Sequence, residues 1–189
     1  MTVLDSRQLQ IIKKLTTLVE RINPTNNDPG TEQPYAYDLR NKVFRGRTVY
    51  GMEKGHKPPF VSLLEVPRPP EGIYVGDQKR VRKESFGLLV QGFMPEDDNA
   101  PHPTDSAYVL KAMVEQEICR ATVIDRQGNP LYPADYMFGT FSGQQMISSL
   151  TIVQGAVRPA EANVSPTAFF YLPVVIEFVF DPAAPWALQ

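Results

Sequence analysis

The sequence predicts an α+β domain: a mixed, mostly antiparallel sheet with two helices packed on one face and long loops between the elements. Three observations carry that prediction. Two segments repeat apolar residues every three or four positions, as amphipathic helices do. Several others are apolar runs or two-residue alternations rich in aromatic and β-branched side chains. The order of these segments is helix, strands, helix, strands, with residues 1–181 forming one domain and 182–189 a C-terminal tail.

In chain order, Asp5 or Ser6 can cap a helix running to Ile22, with Ile11, Ile12, Leu15, Leu18, Val19 and Ile22 on one face. Arg7, Lys13, Lys14, Glu20 and Arg21 take its remaining surface, and Asn23-Pro24 stops it. Six buried side chains stabilise by about 1.5 to 3 kcal/mol each, against about 1 to 2 kcal/mol of backbone entropy per ordered residue. The helix therefore needs a sheet to lie on. Residues 23–34 are turn formers without a large apolar side chain and form an exposed loop. Residues 35–50 read as two short strands or one bent strand, with Tyr35, Tyr37 and Leu39 in alternation, then Val43, Phe44, Val49 and Tyr50 around Gly46. The apolar run 60–66 is a buried strand, and 67–83 is too long for a tight turn. In the strand 85–94, Phe86, Leu88, Val90 and Met94 share one face, with Leu89 and Phe93 opposite.

Thr104 or Asp105 caps the second helix, which runs to Ala121 on a stripe of Ala107, Leu110, Met113, Val114, Ile118 and Ala121. Cys119 borders that stripe and reads as a packing residue. Residues 122–145 mix turn signals with Tyr132, Tyr136, Phe138 and Phe141; such a loop is either tucked under the body or laid on a neighbour. Residues 146–157 and 168–180 close the fold as two long strands. In the last, Phe170, Leu172, Val174, Ile176, Phe178 and Phe180 fall on one face. Pro173 cannot donate to a ladder, which calls for a bulge or an edge there. The tail carries the one tryptophan, Trp186, which either folds back on its own domain or anchors in a neighbouring subunit.

Composition narrows the function classes. At 189 residues the chain can bury roughly 70% of its unfolded surface without covalent staples. One cysteine precludes an intrachain disulfide, and two histidines with it cannot build the usual four-ligand structural zinc site, so a reducing compartment during assembly is expected. A net charge of -2 argues against a surface tuned throughout to nucleic acid but permits a local basic patch. No run approaches 18 apolar residues, and 1–10 lacks a signal-peptide pattern, so the reading is a soluble protein outside the Sec route, with no membrane partner. Eighteen prolines, nearly twice the usual share of about 5%, imply long, stiff loops.

The charged residues offer the candidate sites. Residues 40–57 hold six bases, Arg40, Lys42, Arg45, Arg47, Lys54 and Lys57, against Glu53. A second knot comprises Lys79, Arg80, Arg82 and Lys83. Two readings compete for both: solvated loop charges, or an electrostatic surface for nucleic acid or an acidic partner. Glu96, Asp97 and Asp98 lack calcium-loop spacing and read as a solvated turn, and His102 between two prolines has no rigid element to orient it as a base. No glycine-rich turn opens either helix and no nucleophile or metalloprotease motif appears, so neither a catalytic site nor a cofactor is expected.

The amphipathic first helix, the basic segment with Phe44-Arg45-Gly46-Arg47-Thr48-Val49, the Pro58-Pro59-Phe60-Val61-Ser62-Leu63-Leu64 approach, an alternating strand, a second helix and a closing pair of strands resemble the tail terminator proteins of long-tailed bacteriophages. The likeness runs from Leu9 to Phe180 and lies in the order and style of the elements. It implies a virion protein of the tail neck, assembled in the host cytoplasm: a ring, usually a homo-hexamer, that caps the tail tube protein, stops its polymerisation and presents a surface to the head-tail connector proteins. Under it, the basic residues either line a lumen through which phage DNA passes or face an acidic tube end. Another neck or head-tail joining protein is the near alternative. A nucleic-acid-binding module, with Phe44, Tyr50 and Phe60 as stacking platforms, and a small enzyme built on Asp97 and Asp98 are the alternatives from other classes.

Overall fold

A computed structural model of the chain describes residues 5–46, 57–67, 82–95, 101–141, 144–162 and 165–180. Among them the elements run α1 (Arg7–Val19), β1 (Val43–Arg45), β2 (Phe60–Glu65), β3 (Arg82–Phe93), α2 (Asp105–Cys119), a 3₁₀ turn (Tyr136–Phe138), the small ribbon β4 (Thr140–Phe141) and β5 (Gln144–Gln145), then β6 (Ser149–Ile152), β7 (Ala156–Arg158) and β8 (Phe169–Phe180). The expected α+β class with a mixed sheet is what the chain forms. The main sheet is ordered β1-β2-β3-β8-β6, with β7 also on β8; β1 runs parallel to β2 and every other pairing is antiparallel.

The sheet is built on β3 and β8, paired in unbroken register from Arg82↔Phe180 to Phe93↔Phe169. Alternation along both strands sends Phe86, Leu88, Val90, Phe170, Leu172, Val174, Ile176 and Phe178 to one side, where they form a single core with Ile11, Leu15 and Val19 of α1 and Leu110, Val114 and Ile118 of α2. Both helices therefore lie on one face. Gly92 is required there, because a Cβ at that position would sit 2.0 Å from the Phe170 ring.

Local chemistry moved several boundaries. Ser6 caps α1 by accepting from the Leu9 amide at 3.3 Å, and the helix ends at Val19, Arg21 and Ile22 continuing as 3₁₀-type turns onto Leu18 and Val19. Thr104 occupies the N-cap of α2 without a side-chain bond to the helix. Residues 35–39 form no strand: the Tyr35 and Leu39 amides bond to Asn26 and Ile22 carbonyls, so the Tyr35 and Leu39 alternation records burial and not pairing. Residues 47–50, with Val49 and Tyr50, lie outside the described residues. β3 begins at Arg82, three residues before the expected strand, because β8 is long enough to pair with it. Cys119 is exposed, one position past the buried Ile118 on α2, and is not a packing residue.

The expected strand 146–157 is broken in two. Ile152 pairs with Val174 but Ala156 with Tyr171, so three residues of one strand oppose two of the other. This is a bulge, and it faces Pro173, whose carbonyl still accepts the Val153 amide at 2.9 Å. Gly155 permits the close approach: a Cβ there would lie 2.3 Å from the Tyr171 carbonyl oxygen.

Candidate functional site

The described members of the two basic knots are not brought together. Arg45 ends β1 opposite Leu63, which pairs with Val90; Lys83 is seven residues further along β3, roughly 23 Å at about 3.3 Å per residue. The faces differ too. Arg45 shares the parity of buried Val43 on the helix side, where its charge acts on Glu20, whereas Lys83 shares the parity of Leu89 on the opposite face and pairs with Glu177 at 2.6 Å. That contact, with a bond from Ser149 Oγ at 2.6 Å, holds the Glu177 carboxyl below its usual range. Arg40 is exposed and clamped to Asp38, whose pKa it lowers to about 2. Lys42 is half-buried, its carbonyl accepting the Val61 amide at 2.9 Å where β1 meets β2. Arg82 is placed by its backbone pairing with Phe180. Arg47, Lys79, Arg80 and Trp186, with Asp97 and Asp98, lie outside the described residues, and His102 is exposed.

The sheet face turned away from the helices has its own character. At one end Phe44, Phe60, Phe93 and Phe169 form an aromatic row with ring centroids 5.8, 4.9 and 6.1 Å apart. Phe60 is only 1% exposed, so its ring has no free face on which a base could stack. The aromatic row is followed by Ser62, Gln91 and Tyr171, then by Leu64, Leu89 and Pro173, and then by Val66 and Val175; Val179 lies beyond the Lys83–Glu177 pair, and Val66, Val175 and Val179 are each more than a third exposed. Gly87 keeps this region flat, with Val66 lying beside it. On the other side of the layer, α2 turns Tyr108 and Val109 outward, 58% and 45% exposed.

A third cluster is buried beneath the helix side and was not anticipated. Glu117 of α2 is 1% exposed; its Oε1 accepts from the Tyr35 hydroxyl at 2.6 Å and lies 3.5 Å from Arg120 Nη1. Asp135 accepts from the two terminal guanidinium nitrogens of Arg21, Nη1 and Nη2, and, at 3.1 Å, from Arg120 Nε. Arg120 also lies over the Tyr132 ring, 4.0 Å from its centroid. Arg21, Tyr35, Glu117, Arg120 and Asp135, with Asn26 and Asn27, border a cleft of about 430 Å³. The two carboxyls are tuned in opposite directions. Burial pushes Glu117 up, outweighing the Tyr35 hydrogen bond and the nearby arginines. Burial pushes Asp135 up as well, but there the hydrogen bonds from Arg21 and Arg120 prevail and hold it below its ordinary value. Burial, with the Glu117 hydrogen bond and charge, raises Tyr35 further above its ordinary value.

A sequence signal existed for Glu117. It sits three residues after Val114 and seven after Leu110, on the buried stripe of α2, where a carboxylate is out of place. Asp135, the one charged residue of the aromatic segment 132–138, stands in no periodic element, so its burial left no mark in the spacing.

Among the described residues no group of histidine, cysteine, aspartate and glutamate side chains could hold a metal ion, and no helix is long and apolar enough to cross a membrane. No protein-family model matches the chain. No curated protein matches it in sequence.

Proposed function

We propose that this protein is a structural component of a bacteriophage virion, a tail terminator that closes into a six-membered ring at the head-proximal end of the tail tube, stops tube polymerisation and joins the tail to the head connector. The observation that carries the reading is the two-sided apolar surface. A ring is closed by a heterologous interface, in which two different patches of one subunit meet around a rotation. The chain exposes one such patch on the open sheet face, at Val66 and Val175 with the Lys83–Glu177 pair on its border, and a different one across the layer, at Tyr108 and Val109 of α2. The order of elements on which the phage resemblance rests, helix, strands, helix, strands, also agrees with the fold.

The separation of Arg45 from Lys83 favours two distinct contacts for the basic residues over one continuous patch. The test is assembly. Light scattering of the purified protein, with and without tail tubes, is expected to give a six-subunit mass and rings in electron micrographs. A strict monomer at high concentration that neither closes on tubes nor stops their growth would overturn the reading. Val175→Asp, which sets a charge on the open face without touching the core, is expected to lose the ring and keep the fold.

A further inference from the structure

Arg120 serves two carboxyls at once. Its Nε donates to Asp135 at 3.1 Å while its Nη1 lies 3.5 Å from Glu117, beyond good hydrogen-bond range. Glu117 Oε2 is closed to solvent and has no hydrogen-bond partner among the described residues. A charged carboxylate with one oxygen in that condition is costly, so this geometry suits the protonated acid. The charged and titratable groups around it are Arg21 from the end of α1, Tyr35 with Asp28 behind it from the loop after α1, Arg120 from α2, and Asp135 from the turn that follows.

The segment tied down by Asp135 is strained. Met137 and Phe138 both take left-handed backbone, with φ of 50° and 60°, a conformation that crowds the Cβ of a non-glycine residue against the following carbonyl oxygen. Among its attachments are Asp135 between its two arginines, the Met137 amide on the Ala121 carbonyl at 2.8 Å, the Ile147 amide on the Met137 carbonyl at 3.4 Å, the Tyr132 ring under Arg120, and the buried Phe138 ring.

We propose that Glu117 and Arg120 form a proton-operated latch: while Glu117 carries a proton, Arg120 holds Asp135 and the strained 132–138 turn against the helices, and when that proton leaves, Arg120 turns to the Glu117 carboxylate and the turn loosens. The proton goes to solvent through the adjoining cleft, and no other group changes its charge. Ionised Glu117 draws Arg120 by attraction and adds repulsion toward Asp135, so both effects act in one direction. The latch does not depend on ring formation.

The test follows the full-length protein from pH 4.5 to 9 by NMR, reading the Glu117 side-chain carboxyl carbon and the Arg120 Nε–H group. Amide exchange at Met137, corrected for the intrinsic effect of pH, is read in parallel. One midpoint is expected in all three, with Met137 exchange about tenfold faster above it, the factor that one pK unit of coupling gives. In Glu117→Gln the Arg120 signal and the corrected exchange are expected to stay flat. Arg120 unmoved while Glu117 titrates, Glu117 ionised across the whole range, or Met137 acceleration persisting in the glutamine variant would each overturn the latch. Should that variant not fold, the coincidence or divergence of the wild-type midpoints decides.

Discussion

Two sets of charges occupy this domain under opposite conditions. Arg40 and Lys83 stand at the surface, each answered by a nearby carboxylate, Asp38 or Glu177. Arg21, Glu117, Arg120 and Asp135 are drawn between the helices and the turn after α2, with both carboxyls less than a tenth exposed. The first set is plain in the sequence as a concentration of bases; the second is scattered over 115 positions, from Arg21 to Asp135. Yet the buried set links three parts of the fold, while each described surface pair links two residues. Density of charge in a sequence marks where water is; isolated charges at buried spacings mark where charge has structural consequence.

Asp135→Ala carries the largest expected effect. Hydrogen bonds to charged groups contribute about 1.5 to 3 kcal/mol, and here two partly exposed arginines lose their shared acceptor together. A large fall in the urea midpoint is expected. A loss below about 1 kcal/mol, the range of exposed pairs, would erase the distinction between the two sets. Next in size is the pH response, in which the two buried carboxyls act oppositely. Asp135 has a depressed folded pKa, so its contribution is present above its ordinary value of 3.8 and is lost as pH falls through the folded value. Glu117 has a raised folded pKa, so the native state holds its proton longer than the unfolded chain, and stability declines as pH rises from 4.5 through that value. Thermal unfolding across pH is expected to show a maximum between the two declines, and Glu117→Gln to remove the upper one alone. A wild-type curve that rises steadily through neutral pH would contradict the Glu117 assignment.

The same physical divide explains what the sequence disclosed. Period-two alternation in β3 and β8 and the helical stripes of α1 and α2 are consequences of burial on one side, and burial is written locally in residue type. That was enough for the class, the helices on one face and the core positions. Breaks caused by contact between distant residues were less legible. Pro173 signalled irregularity, but the split of β6 from β7 also needed Gly155 to meet the Tyr171 carbonyl. Tyr35 and Leu39 alternated because both reach the core, although their backbone pairs with turns and not with a strand. The charge cluster was the least visible, since Arg21 and Arg120 look like helix-surface residues until Asp135 is folded against them.

The smallest predicted effect is the most direct check on the surface set. Lys83→Ala removes one end of an exposed pair with Glu177, and Arg40→Ala does the same for Asp38. Exposed ion pairs contribute about 0 to 1 kcal/mol, because water screens them and two long side chains must be ordered to form them. Each variant is expected to unfold within that margin of the wild type, and the difference is expected to shrink further in 1 M salt, where the Debye length falls to about 3 Å. Glu177 retains the Ser149 hydroxyl in the Lys83 variant, so its carboxyl does not become an unpaired group. If charge at these positions serves a partner and not the fold, the same substitutions leave unfolding unchanged while weakening assembly on tail tubes at low salt. Unfolding losses as large as that of Asp135→Ala would instead make Arg40 and Lys83 structural residues, and the division between the two sets of charges would have to be given up.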